Sequence, residues 1–248
     1  MNFTVMTLFP EMIENYMNAS ITGRALKKGV ISLNAVNIRD YTLNKNLRVD
    51  DYIYGGGSGM LMQAEPVIRC YEDIKKKYTG AKPRVLYMSP QGRRFDQEMA
   101  KALSHNEDIV FLCGHYEGID ERAIEMINPT EVSLGDFVLT GGEIAAMTIM
   151  DAVTRLLPGA LGSDDSAIFE SFYDGLLEYP QYSRPENFRD HHVPEILLSG
   201  NTKLINQWRL EKALERTKVK RPDLYEAYIA KHPEILNPPV KKKRRKKK

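Results

Sequence analysis

The sequence is poor in cysteine. Cys70 and Cys113 are the only two in 248 residues, and they form no CxxC pair. That excludes a disulfide scaffold and points to a reducing compartment. Long apolar runs are missing too: no stretch of about 18 uncharged apolar residues occurs, so no membrane-spanning helix and no membrane partner are expected. The opening segment MNFTVMTLFPEM has neither a basic n-region nor a long apolar core, so no targeting peptide is expected and the reading is cytoplasmic. Phosphate signatures are absent, with no G-x-x-x-x-G-K-[ST] and no G-x-G-x-x-G after a strand-like run. There is no G-x-S-x-G nucleophile elbow. The histidines at 105, 115, 191, 192 and 232 include no i,i+4 pair, which argues against a zinc site.

What is present is ordinary globular composition. Hydrophobic residues make up 42% and charged residues 27%, enough to build a packed core without staples. The formal net charge of +2 hides a strong asymmetry. The last eight residues, Lys241 to Lys248, are all Lys or Arg; without them 27 basic residues face 33 acidic ones. The chain is therefore not a uniformly basic coat for nucleic acid, and any such contact must be local. The basic end itself reads as a solvated, disordered tail over 241–248.

Over residues 1–158, short apolar runs alternate with helical patterns. Strand-like runs lie at 3–9, 30–38, 84–89, 108–113 and 130–134, and helical patterns at 64–78, 94–105, 119–127 and 141–158. Strands separated by helices of this size predict an α/β domain with a parallel sheet covered on both faces. Pro10 suits the first turn of a helix. The 141–157 helix is expected to bury Ile144, Ala145, Thr148, Ile149, Ala152 and Leu156. Residues 159–172 are rich in Gly, Ser and Asp without a clear period, and read as an interdomain linker. A smaller, mainly helical domain over 173–240 follows, in which Asn201 caps a helix that Pro222 ends.

Three glycine-bearing loops follow three of the strands: SPQG (89–92), CGHYEG (113–118) and SLGDFVLTGG (133–142). Each alone reads as a plain turn. Together, at the carboxyl ends of strands, they also fit one pocket built largely of main chain. Without phosphate-binding chemistry, such a pocket suits a nucleoside or adenosyl ligand. Cys113 ends an apolar run and reads as a buried, inert thiol. Arg155 lies one turn beyond Asp151, as a surface ion pair would. Residues 201–222 carry seven Lys or Arg against Glu211 and Glu215, around the single tryptophan, Trp208. That pattern fits a phosphate-contact stripe as well as a solvated helix face.

In order along the chain stand LFPEM (8–12), TGRA (22–25), RDYT (39–42), VDD (49–51), YGGGSGM (54–60), SPQG (89–92), CGHYEGIDER (113–122), SLGDFVLTGGE (133–143), LLEYPQYSRP (176–185), LLSGN (197–201) and ERTKVKRPDL (215–224). In these motifs the chain resembles the bacterial tRNA (guanine-N1)-methyltransferases of the TrmD type, from about residue 2 to 230. The resemblance implies a SPOUT domain over 1–158 with a trefoil knot, and S-adenosylmethionine-dependent methylation of N1 of guanosine 37 beside the tRNA anticodon. It implies a homodimer with a shared active site, and magnesium dependence with no site to be read from the residues. Cofactor binding falls on Tyr87, Met88, Ser89, Pro90, Gln91, Gly114, Tyr116, Glu117, Ser133, Leu134, Gly135, Asp136, Phe137, Val138, Leu139, Gly141 and Gly142.

The family's arginine falls on Arg155 and its general base on Glu170, where an aspartate is usual; Asp165 is a second-choice base. Tyr52-Ile53 stands where many relatives carry Arg-Pro, and His115 where others have arginine. The tRNA contacts are expected from Lys203, Arg209, Lys212, Arg216, Lys220 and Arg221. The linker is expected to order over the flipped base. The alternatives are a knotted methyltransferase acting on another RNA position, and a non-enzymatic RNA-binding α/β protein.

Overall fold

The structure is a computed structural model that describes residues 1–78, 82–162 and 170–235. The tail expected over 241–248, Asp165 and the middle of the linker expected over 159–172 (163–169) lie outside the described residues. Contacts divide the chain into two units, Met1–Asp164 and Asp165–Lys248.

The first unit opens with β1 (Asn2–Thr7), α1 (Pro10–Met17), α2 (Ser20–Lys27), β2 (Ser32–Asn37), β3 (Asp50–Tyr52) and β4 (Met60–Met62). It continues with α3 (Ala64–Lys76), β5 (Arg84–Arg94), α4 (Gln97–Leu103), β6 (Asp108–Cys113), α5 (Glu121–Ile127), β7 (Thr130–Ser133) and α6 (Glu143–Thr154). All five strand-like runs of the sequence join one parallel sheet in the order β2-β1-β6-β5-β7. Side chains along these strands alternate between two cores. Phe3 and Val5 of β1 and Ile109, Phe111 and Cys113 of β6 face one side, toward α1, α4 and α6. Met6, Val110 and Leu112 face the other, toward α3 and α5. Because both faces are covered, the central strands are apolar at nearly every position rather than alternating in the sequence.

Local chemistry sets the helix ends. Pro10 stands at the start of α1, where its missing N–H has no partner to lose. Asp96 caps α4, its side chain accepting from Met99 N at 2.8 Å, and Asp120 caps α5 by accepting from Arg122 N.

Helix α6 departs from expectation. Ile144 and Thr148 point outward, Ile144 being 46% exposed, while Ala146, Met147, Met150 and Val153 join Ala145 and Ile149 inside. The helix is buried around most of its circumference, so a single 3.6-residue stripe does not describe it.

The second unit is more sparsely packed. It contains a two-residue hairpin, β8 (Asn187–Phe188) and β9 (His191–His192), then α7 (Glu195–Leu198), α8 (Thr202–Lys220) and α9 (Pro222–Lys231). Asn201 caps α8 as expected, accepting from Leu204 N. α8 stops at Lys220, just before Pro222, as expected, and a further helix follows at once. Arg221 stands between the two and Pro222 begins α9, because proline is excluded from a helix interior but tolerated in its first turn. No helix among the described residues is long and apolar enough to cross a membrane.

Candidate active site

Three adjacent parallel strands deliver the glycine loops to one place. Segment 87–91 lies within β5 and not after it: SPQG (89–92) forms an irregularity across which the register on β7 shifts between Met88 and Arg93, and the strand runs on to Arg94. Segment 114–118 leaves the end of β6, and 133–142 runs from β7 to the start of α6. They enclose a cavity of about 230 Å³. Tyr87, Met88, Ser89, Pro90, Gln91, Gly114, Tyr116, Glu117, Ser133, Leu134, Phe137, Val138, Leu139, Gly141 and Gly142 line it, and so do His115, Gly118, Val132, Thr140 and Ala145. Gly135 and Asp136 of the expected set do not.

The donor set suits a nucleoside carrying a cation. Among the described residues no Lys or Arg lines the cavity, so no side-chain cation there pairs with a phosphate, and Glu117 is the one carboxylate. The other lining residues are glycines, hydroxyl-bearing, aromatic and apolar residues, with Gln91 and His115. Gly142 lets backbone meet backbone: a Cβ there would lie 2.8 Å from Cys113 Cα. Burial, with Glu131 and Glu121 nearby, pushes the Tyr87 phenol up to about 12, so it stays a protonated donor at neutral pH. Burial also pushes the Cys113 thiol well up, which fits the inert reading.

Behind the wall lies a network that sequence reasoning missed. Glu143, the first residue of α6, is 2% exposed. Its Oε1 accepts from Thr7 Oγ1 at 2.6 Å, and its Oε2 lies 2.7 Å from His115 Nε2. The one sequence signal for it was a glutamate directly after two glycines at a helix start. Nearby, YGGGSGM forms the tip of the β3–β4 hairpin, and Met60 O accepts from Glu117 N at 3.0 Å.

Arg155 caps the C-terminus of α6 in the first unit, its N–H bonded to Asp151 O at 3.1 Å. Glu170 belongs to the second unit, where it lines a cavity of about 260 Å³ with Asp174, Glu178, Tyr179, Asn206 and Arg209 among others.

The expected RNA-contact residues divide into two groups. Lys203, Lys220 and Arg221 are exposed at the two ends of α8. Arg209, Lys212 and Arg216 are half-buried. The Arg209 guanidinium stands 5.0 Å from the Tyr179 ring centroid, and its Nε is buried without a hydrogen bond among the described residues. Arg216 Nη1 donates to Glu178 O at 3.0 Å, Lys212 pairs with Glu215, and Arg221 pairs with Asp223. The six cations therefore do not form one free face.

No group of three His, Cys, Asp or Glu side chains that could hold a metal forms among the described residues.

Comparison with known proteins places these features in a family. The model of the family described as tRNA (Guanine-1)-methyltransferase TrmD matches residues 1–227. A tRNA (guanine-N(1)-)-methyltransferase of Lachnospira eligens is 58% identical over 94% of this chain and 98% of its own length. Proteins of the same name from Ruminiclostridium cellulolyticum and Clostridium tetani are 53% and 51% identical, over 91% and 90% of this chain and 96% and 92% of their own lengths.

Proposed function

This chain belongs to the tRNA (Guanine-1)-methyltransferase TrmD family, and from that premise we propose that it methylates N1 of guanosine 37 in the tRNA anticodon loop. It is an enzyme that acts on tRNA with S-adenosylmethionine as methyl donor. The observation that carries the reading is the cavity between the bulge of β5 and the loops after β6 and β7, which no Lys or Arg of the described residues lines. We place its work in the cytoplasm. It acts as a homodimer with a shared active site, and the chain threads as a trefoil knot. Met12 and Tyr16 of α1 and Ile144 of α6, all apolar and exposed, support the dimer.

The residues around the cavity fit the cofactor. Gly114, Gly141 and Gly142 bring backbone to the ligand, Leu134, Phe137 and Leu139 offer apolar surface, and Glu117 offers charge to a cation. When bound, the cofactor supplies an electrophilic methyl group on a sulfonium. Gly135 and Asp136 act on it only through the turn they form. Guanine N1 carries a proton at neutral pH and must lose it to become a nucleophile. Glu170 accepts that proton, which brings a gain of about 10²–10⁴ in rate. Negative charge then develops on O6, and Arg155 stabilises it. The target base leaves its stack to be reached, at a cost of a few kcal/mol. Lys203, Lys220 and Arg221 contact the phosphate backbone, while Arg209, Lys212 and Arg216 shape the surface around them. The described residues form no protein cage for magnesium, and no step here runs through it.

The test is transfer of labelled methyl to two unmodified tRNA transcripts, with guanosine or adenosine at position 37. Label in the guanosine transcript alone supports the reading. Label in both points to another nucleotide, and label in neither to a binding protein without this activity.

A further inference from the structure

Glu143 is a carboxylate at 2% exposure, and burial of that kind is costly unless both oxygens are satisfied. They are. Thr7 Oγ1 accepts the N–H of Phe9 at 2.9 Å, so its single proton goes to Glu143 Oε1. The other oxygen faces His115 Nε2. The His115 ring packs against Phe9, with centroids 4.9 Å apart, and its backbone N–H meets Met62 Sδ at 3.2 Å. The network thus ties together three segments: the end of β1, the loop after β6 and the start of α6.

Two of those segments are walls of the same cavity. Gly142 N donates to Gly114 O at 3.0 Å, and the His115–Glu143 contact is the side-chain tie beside it. The ring occupies the space where position 141 would carry a side chain: a Cβ on Gly141 would lie 2.2 Å from His115 Nε2 and 2.7 Å from Glu143 Oε2. Glycine at 141 is therefore required by the tie itself.

We propose that His115 is a positioning residue for cofactor binding. Held by Glu143, which Thr7 anchors in turn, its ring sets the separation of the 114–118 and 139–142 loops and hence the width of the cavity. This rests on the cofactor reading of that cavity. The role is distinct from contact with the reacting atoms, so it acts on cofactor affinity and not on the chemical step.

The experiment compares wild type, His115→Ala, Glu143→Gln and His115→Arg by calorimetric titration with S-adenosylmethionine, steady-state kinetics and melting temperature. His115→Ala is expected to raise the cofactor Kd and KM about tenfold, the loss of one charge-assisted hydrogen bond, with kcat at saturation within about twofold. Glu143→Gln should shift Kd in the same direction and serves if His115→Ala does not fold. His115→Arg, which offers the carboxylate a forked donor, should recover most of the affinity. A wild-type Kd in His115→Ala and Glu143→Gln overturns the proposal, as does an affinity loss that arginine does not recover. A drop in melting temperature with Kd unmoved also overturns it, because it marks a structural role alone. A wild-type chain that binds no S-adenosylmethionine overturns the cofactor reading itself, and the proposal with it.

Discussion

The two units hold their candidate residues in different ways. In the first, three adjacent strands with mostly buried positions bring their bulge and loops together, and the residues that line the cavity are carried by the sheet. In the second, the candidate cations hang from α8, a 19-residue helix whose buried positions are Ala213 and Thr217. A site carried by a packed sheet tolerates little change in the residues that shape it. A site made of long side chains on an exposed helix tolerates much more, since each contact is separately weak.

Substitutions should reflect that contrast. The largest effect belongs to the proposed chemistry: Arg155→Ala should lower kcat by about 10²–10³ in single-turnover assays while the cofactor Kd stays put. An equal change in Kd would instead make Arg155 part of the cavity's support. Next comes the sheet. Phe111→Ala, at a fully buried position of β6, should destabilise the first unit by about 3–5 kcal/mol in urea titration. Leu210→Ala, on the half-open face of α8, should cost under about 1.5 kcal/mol. Equal losses would erase the difference between the units. Gly142→Ala places a Cβ 2.8 Å from Cys113 Cα and should weaken cofactor binding by more than about tenfold while leaving tRNA affinity intact.

Smaller still, Lys203→Ala and Lys220→Ala should each reduce the slope of log affinity against log salt by about 1. Arg209→Ala should change that slope less and stability more, since its guanidinium stacks on Tyr179. The smallest effect concerns the thiols. Burial pushes Cys70 up to about 12 and Cys113 well above the usual range. A raised value leaves both protonated at pH 8, so iodoacetamide should not label the folded chain there. Rapid labelling would show that the core opens.

Much of the first unit was legible. Apolar runs such as DIVFLC and the glycines after them announce buried parallel strands with open carboxyl ends, because strand burial and close backbone approach both restrict residue type. The outward Ile144 was not legible, because a helix enclosed on most sides has no polar face to orient it. Nor was the Thr7–Glu143–His115 network, whose members lie 108 and 28 residues apart in sequence and meet only through the sheet. In the second unit the sequence shows the charges but not their use. Arg216 reads as a phosphate contact, yet it donates to a carbonyl of its own unit. Proline was ambiguous for the same kind of reason: Pro222 fits the end of one helix and the start of the next equally well.

The central claim is that Glu170 takes the proton from guanine N1. Its most direct test is single-turnover methyl transfer to the guanosine-37 transcript, at saturating cofactor and tRNA, by wild type, Glu170→Gln and Glu170→Asp, with the methylated nucleotide identified by nuclease digestion. The account predicts a loss of about 10² or more in Glu170→Gln, substantial activity in Glu170→Asp, and N1-methylguanosine as the product. Wild-type rates from Glu170→Gln would contradict it and move the base to another group.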